Sequence, residues 1–210
     1  MPHTFDRDRA KPITPRRRRR MIKVLERRQP DLTVVLENVH DPHNVSAVLR
    51  SCDAVGISVV HLVYTVEERP SLSRLSSASA LKWLDVHDHP DIAAAYAELR
   101  RQGFTIYATH FDLHVGDLFD LDLTGPVALV FGNEQLGLSE EACREADGGL
   151  VIPMMGMVQS LNISVACAVT LYEVLRQRRA SGGYCRPKLA PDQIDAQVRG
   201  WIEREHRAPE

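Results

Sequence analysis

Apolar residues fall along this chain in two alternating rhythms: short continuous runs, and stretches with a period between three and four. Thr33-Val34-Val35-Leu36-Glu37 is a run of the first kind and predicts a buried strand. Val45, Val48, Leu49 and Cys52 then recur at i, i+3, i+4 and i+7, the face of a helix that Gly56 is placed to end. Residues 57–64 predict a second strand, residues 92–102 an Ala-rich helix stopped by Gly103, and Thr105-Ile106-Tyr107-Ala108-Thr109 a third strand. A further strand over residues 127–131 runs straight into Gly132-Asn133-Glu134-Gln135-Leu136-Gly137. Ser139 can cap a following helix whose first turn, Glu140-Glu141, suits the positive helix end. A short strand, Leu150-Val151-Ile152, precedes a long helix over residues 160–178, apolar on most sides until its basic end. Residues 190–206 predict a last helix outside the sheet, with Trp201 and Ile202 as its apolar contacts. Strand and helix alternating at this spacing predict an α/β fold: a mostly parallel sheet with flanking helices, plus terminal helices.

Composition narrows the class more than the function. The 210 residues suffice for one substantial domain with helical additions at its ends. Apolar runs are strand-length and far short of a membrane span. The first residues, Met1-Pro2-His3-Thr4-Phe5-Asp6, carry no apolar signal segment, so export is not expected and the Asn162-Ile163-Ser164 sequon reads as accidental. Cys52, Cys143, Cys167 and Cys185 lie far apart without a CxxC pair. That speaks against a zinc site or a disulfide framework and fits a reducing, cytoplasmic setting with no metal.

Charge changes the picture. In residues 1–30 nine arginines and two lysines face three carboxylates, a net +8, which leaves −10 on the remainder. Arg16, Arg17, Arg18, Arg19 and Arg20 form an unbroken run, with Lys23, Arg27 and Arg28 behind it. A cationic arm on an anionic body points to a polyanion, and the planar guanidinium fork suits phosphate oxygens. The plainer alternative is a disordered solubilising tail. Against that, Met21-Ile22-Lys23-Val24-Leu25-Glu26 has the pattern of a short amphipathic helix that would fix the arginines in place.

The common cofactor signatures are missing: no GxGxxG after the first strand, no Walker lysine motif, no GxSxG elbow. What remains is three strand-to-helix junctions, the edge at which parallel sheets carry their ligand sites. The first runs from Asn38 through Asn44, placed as an N-cap, to Arg50 on the helix that follows. Periodicity alone favours a solvated Arg50 over one aimed at the ligand edge. The second, Gly132-Asn133-Glu134 with Gly137, sets a carboxylate either at a cleft or in a plain turn near a helix start, and the two readings weigh equally. The third joins Ile152-Pro153 to Ser160-Leu161-Asn162-Ile163-Ser164 across a methionine-rich stretch. Capping explains one or two of those three polar residues, not all of them.

Together these three segments resemble the motifs of the SpoU-type ribose methyltransferases of the SPOUT class, in order and spacing, over roughly residues 16–188. Ser76-Ser77-Ala78-Ser79-Ala80 departs from a loop that commonly contains glycine in that family. The resemblance implies a C-terminal trefoil knot, which no general rule of chain topology would predict. It implies transfer of a methyl group from S-adenosylmethionine to the 2′-hydroxyl of a guanosine ribose, with tRNA as the substrate and the D-loop guanosine at position 18 as the target. By position, Thr109, Gly132, Ile152 and Leu161 would contact the cofactor. Arg50, Asn44, Glu134, Ser160 and Asn162 would make the catalytic group, with Asn44 orienting Arg50 or the ribose. Arg16, Arg17, Arg18, Arg19, Arg20, Arg27 and Arg28 would meet RNA. The implied organisation is a basic arm over residues 1–30, a knotted domain over 31–180 and a helical extension over 181–210, working as a homodimer. The alternatives are a related enzyme acting on rRNA or another tRNA site, and a non-catalytic RNA-binding protein on the same fold.

Overall fold

A computed structural model describes residues 13–66, 69–70, 80–110 and 115–206. The loop departure at residues 76–79 lies outside the described residues. Seven strands form one sheet: β1 (Leu32–Glu37), β2 (Val59–Val63), β3 (Asp85–His89), β4 (Thr105–Thr109), β5 (Val115–Asp117), β6 (Val127–Phe131) and β7 (Gly148–Val151). Every pairing is parallel and the order is β3-β2-β1-β6-β4-β7-β5. β1 and β6 sit at the centre, and both are buried along their whole length. That is why they read as unbroken apolar runs and not as alternation.

Helices α2 (Pro42–Val55) and α5 (Ile163–Ala180) pack on each other and cover one face of the sheet. The core there includes Val34, Leu36, Val45, Val48, Leu49, Cys52 and Leu171. Helices α3 (Ile92–Arg101) and α4 (Glu140–Glu145) cover the other face, over Val35, Ala128, Val130, Tyr96 and Leu99. A separate small cluster joins α1 (Pro15–Leu25) to α6 (Pro191–His206) through Met21, Leu25, Leu189, Val198 and Trp201.

Several boundaries differ from those the sequence predicts, each for a local reason. Two strands were absent from the sequence reading. β3 is an edge strand whose residues are mostly polar, Asp-Val-His-Asp-His, and β5 is only three residues long. The helix expected over residues 21–26 begins at Pro15, because Thr14 accepts a capping bond from the Arg17 N–H and the arginines themselves are good helix formers. Asn44 is not the N-cap. Asp41 takes that role through the His43 N–H at 2.8 Å, with Pro42 at the first helical position. The long helix starts at Ile163 and not at residue 160, because Asn162 caps it: its Oδ1 accepts from the Ser164 N–H at 2.9 Å. Gly56 ends α2 as expected, at φ 91°, where a Cβ would lie 2.8 Å from the Arg27 carbonyl oxygen. Among the described residues, no helix is long and apolar enough to cross a membrane.

Candidate functional site at the carboxyl ends of the strands

Displacing Asn44 from the cap frees its side chain for a longer reach. Its Nδ2 donates to Glu134 Oε1 at 2.8 Å, and its Oδ1 accepts from Asn162 Nδ2 at 3.1 Å. The direction of this chain is determined. Glu134 can only accept, so the Asn44 amide must turn its NH₂ group that way and offer its oxygen to Asn162. The Asn162 oxygen is in turn taken by Ser164, whose N–H and hydroxyl both donate to it, at 2.9 and 2.6 Å. One residue from each of the three junctions is thus joined in a single relay.

The loops that carry the relay are held by groups the sequence reading did not single out. Asn38 leaves β1 at φ 52°, a left-handed conformation that asparagine tolerates. Its side-chain oxygen accepts from the Thr65 and Val66 N–H groups, and its carbonyl accepts from Asn133 Nδ2 at 2.8 Å. Tyr64 donates its hydroxyl to the Val39 carbonyl at 3.0 Å, and burial pushes that hydroxyl up to about 12, so it stays a donor. Glu37, buried at the end of β1, accepts from both the N–H and the hydroxyl of Ser139 and so fixes the start of α4. Within the second junction Asn133 and Gly137 exchange two backbone bonds of 2.9 Å. Gly132 lies so close to this turn that a Cβ would meet Gly137 at 2.3 Å. An asparagine at a strand end, for Asn133 also beside a glycine, was the available signal for Asn38 and Asn133.

Beside the relay opens a cavity of about 530 Å³. Thr109, Gly132, Ile152 and Leu161 all line it, as do Glu134, Ser160 and Asn162. Its apolar walls include Phe131, Leu138, Leu150, Ile152, Leu161 and Ala166, and Asn133, Gln135 and His110 add polar groups to the lining. Thr109 turns its hydroxyl to the Val130 carbonyl at 2.8 Å, so it presents little polarity to the space. From residue 153 to residue 161 the loop forms no hydrogen bond to another described residue, which leaves its backbone N–H and C=O groups open. The size and the mixed apolar and polar lining are those of a small-molecule site. Among the described residues, no group of His, Cys, Asp and Glu is arranged to hold a metal ion.

Arg50 stands apart. It is exposed on α2, six residues or about 9 Å of helix rise beyond Asn44, and does not line the cavity. The arm also divides. Arg16, Arg19, Arg20 and Arg27 are exposed, while Arg17 and Arg18 are ion-paired to α6. Arg28 is a correction to the expected RNA contacts, because it is fully buried. Its guanidinium donates to the Ile57 carbonyl at 2.6 Å, to Asp53 at 2.7 Å and to the Trp83 carbonyl at 2.9 Å, and lies over the Trp201 ring. With those donors spent inside, it cannot reach a phosphate.

The profile of the SpoU rRNA Methylase family matches residues 31–172, the span that contains the sheet, the relay and the cavity. The chain belongs to the SpoU rRNA methylase family. A relative of this SpoU chain, the tRNA (guanosine(18)-2′-O)-methyltransferase of Thermus thermophilus, is 49% identical over 191 residues, which cover 91% of this chain and 98% of the relative. The crystal structure of the Aquifex aeolicus TrmH/SpoU tRNA modifying enzyme superposes with a TM-score of 0.86 at 36% identity, covering 92% of this chain and 98% of that one. An AdoMet-bound rRNA methyltransferase from Sinorhizobium meliloti shares the SpoU fold at a TM-score of 0.64 and 28% identity, covering 76% of this chain and 60% of its own.

Proposed function

We propose that this SpoU chain transfers a methyl group from S-adenosylmethionine to the 2′-hydroxyl of the D-loop guanosine at tRNA position 18. The observation that carries the reading is the Asn162–Asn44–Glu134 relay on the rim of the cavity. The substrate follows from the Thermus relative, whose name states that reaction and whose length this chain matches almost throughout. The residues present fit the methyl donor. The apolar part of the lining suits a flat heterocycle, and the open backbone groups of Met154, Ser160 and Leu161 at the lining can take its polar atoms without a charged side chain. Thr109, Gly132, Ile152 and Leu161 are the residues that would hold it. Bound there, it supplies an electrophilic methyl group on sulfur.

The chain's own task is to bring a weakly nucleophilic ribose oxygen in line with that methyl and to keep it there. As the new C–O bond forms and the S–C bond breaks, the hydroxyl proton must leave. Arg50 is a poor acceptor, because a guanidinium keeps its proton in proteins. We assign it to a two-point grip on the phosphate beside the target ribose, and the proton to that phosphate or to water. Asn44, locked between a carboxylate and an amide, orients the ribose. Ser160 and Asn162 shape the wall against which the nucleotide rests.

We also propose the trefoil knot of the class, formed where residues 150–163 pass beside the 131–138 turn. Support comes from the cavity, which both segments line. The division into a basic arm over residues 1–30, a knotted domain over 31–180 and an extension over 181–210 belongs to the same reading, as does a cytoplasmic site of action. A homodimer is supported by α5. Val165 and Tyr172 lie within about 20° of one another around its axis and are exposed, as are Met155, Met157, Val158 and Leu161 in the loop before it. A second copy of the chain is the partner that would cover them.

Methyl transfer from labelled S-adenosylmethionine to an unmodified tRNA transcript, followed by mapping of the product, tests the proposal. Label in a D-loop 2′-O-methylguanosine is the expected result. Label in rRNA alone would keep the chemistry and overturn the substrate. Binding of cofactor with no transfer to any RNA would leave a non-catalytic RNA-binding protein.

A further inference from the structure

Helix α1 sorts its five arginines onto different faces. At 100° per residue, Arg16, Arg19, Arg20 and Lys23 fall within about 100° of arc. That stripe lies opposite Met21 and Leu25, which are buried against Leu189, Val198 and Trp201. None of the four cations has an ion-pair partner among the described residues, and all four are exposed. Arg17 and Arg18 occupy the flanks, where α6 meets them with carboxylates. Arg17 donates through Nε and Nη2 to Glu205 and lies 5.6 Å over the Trp83 ring. Arg18 donates to Asp195 at 3.2 Å.

We infer that the RNA backbone is met by the stripe Arg16, Arg19, Arg20 and Lys23, and that Glu205 and Asp195 hold Arg17 and Arg18 back as exchangeable partners. The acidic helix thereby tempers the affinity of the arm. The inference rests on the RNA-methyltransferase reading and assigns residues within it. The Arg18–Asp195 pair is exposed and Arg17 is about half exposed over a half-buried Glu205, so phosphates can take over Arg17 and Arg18 while α6 stays docked. Its docking depends on other contacts: Trp201 packs edge-on against Trp83, and Arg204 bonds the Leu84 carbonyl and Asp85. Glu203 is the natural control, since it is an exposed carboxylate on the same helix that pairs with no described residue.

The test is binding of the full chain to an unmodified tRNA transcript, followed by fluorescence anisotropy over a range of salt concentrations. Glu205→Gln and Asp195→Asn should each tighten binding by about two- to fivefold, the range set by the strength of a surface ion pair. Together they should steepen the salt dependence, because two more cations reach phosphate. Glu203→Gln removes the same charge and should change affinity less than twofold. Arg17→Gln should do little alone, yet erase the gain in the Glu205→Gln background. Converting Arg16, Arg19 and Arg20 to Gln should weaken binding about tenfold or more and flatten the salt slope. Equal effects of Glu205→Gln and Glu203→Gln, or looser binding in Glu205→Gln, would overturn the restraint by α6. A triple variant that binds like the parent would overturn the stripe. If the parent bound no tRNA even at low salt, the underlying RNA reading would fall and this assignment with it.

Discussion

Breaking the relay at Glu134 is the sharpest probe of the site, because the structure assigns a direction to each of its hydrogen bonds. Glu134 accepts at 2.8 Å from Asn44, which accepts at 3.1 Å from Asn162. A hydrogen bond to a charged group contributes roughly 1.5–3 kcal/mol and a neutral one about 1. Glu134 and Asn162 are exposed on the cavity rim and Asn44 is half-buried beside them, so the lower part of that range applies until substrate covers them. Glu134→Gln still presents an oxygen to Asn44 and loses only the charge. It should cost about 0.5–1 kcal/mol of transition-state stabilisation, a two- to fivefold drop in single-turnover methyl transfer. Glu134→Ala leaves the Asn44 amide free to turn over, so its oxygen and its NH₂ group exchange places. That should cost about 2 kcal/mol, or some thirtyfold. Asn44→Ala should be at least as damaging, and the double variant no worse than the poorer single one, since the two side chains act as one unit. The assay is the rate of methyl transfer to saturating tRNA transcript, with cofactor affinity measured alongside by calorimetry. Strictly additive losses, or a loss entirely in cofactor affinity, would refute the relay as the device that orients the ribose.

Three other outcomes are expected. Arg50→Ala should lower methyl transfer at least a hundredfold yet leave cofactor affinity within about twofold, because Arg50 does not line the cavity; loss of cofactor binding in calorimetry would remove it from the substrate side. His61, buried beside His89 at 2.8 Å, has its pKa lowered to about 4 by burial first and by His89 and His87 second. Below pH 6.5 the unfolded chain therefore binds a proton that the folded chain refuses, so this contribution to stability is complete above pH 6.5 and drains away as pH falls towards 4, by about 3 kcal/mol. In urea titrations at pH 7 and pH 4, His61→Gln should lose about that much less than the parent, and equal losses would contradict the assignment. Val165→Asp with Tyr172→Asp should turn a dimer into a monomer by analytical ultracentrifugation, whereas an unchanged mass would place the interface elsewhere.

What the sequence made legible followed from burial. β1 and β6 are almost wholly apolar because both faces of a parallel sheet are covered there, and the period-3.6 stripe of α2 is the face that packs on the sheet and α5. β3 escaped because an edge strand keeps mostly polar residues, two of them histidines that the sheet brings against His61. At the site, the residue types were readable and the partnerships were not. Nothing in the spacing of Asn44, Glu134 and Asn162 says that they touch, since their contacts span 90 and 118 residues of chain. The error over Asn44 has the same root. Both Asp41 and Asn44 can cap a helix, and residue type alone cannot choose between them; Pro42, favoured at the first helical position, marks Asp41 as the cap. Once Asp41 takes the cap, Asn44 sits in the first helical turn with a polar side chain the helix does not need, and that surplus is what the second and third junctions use. Arg28 shows the opposite case. In sequence it is one more cation of a basic run, but it follows the last turn of α1, where the chain turns inward, and the carbonyls of Ile57 and Trp83 with Asp53 take its two terminal nitrogens. A charge run read from sequence therefore overstates the surface available to RNA by the residues that the fold has already spent, here Arg28 outright and Arg17 and Arg18 in part.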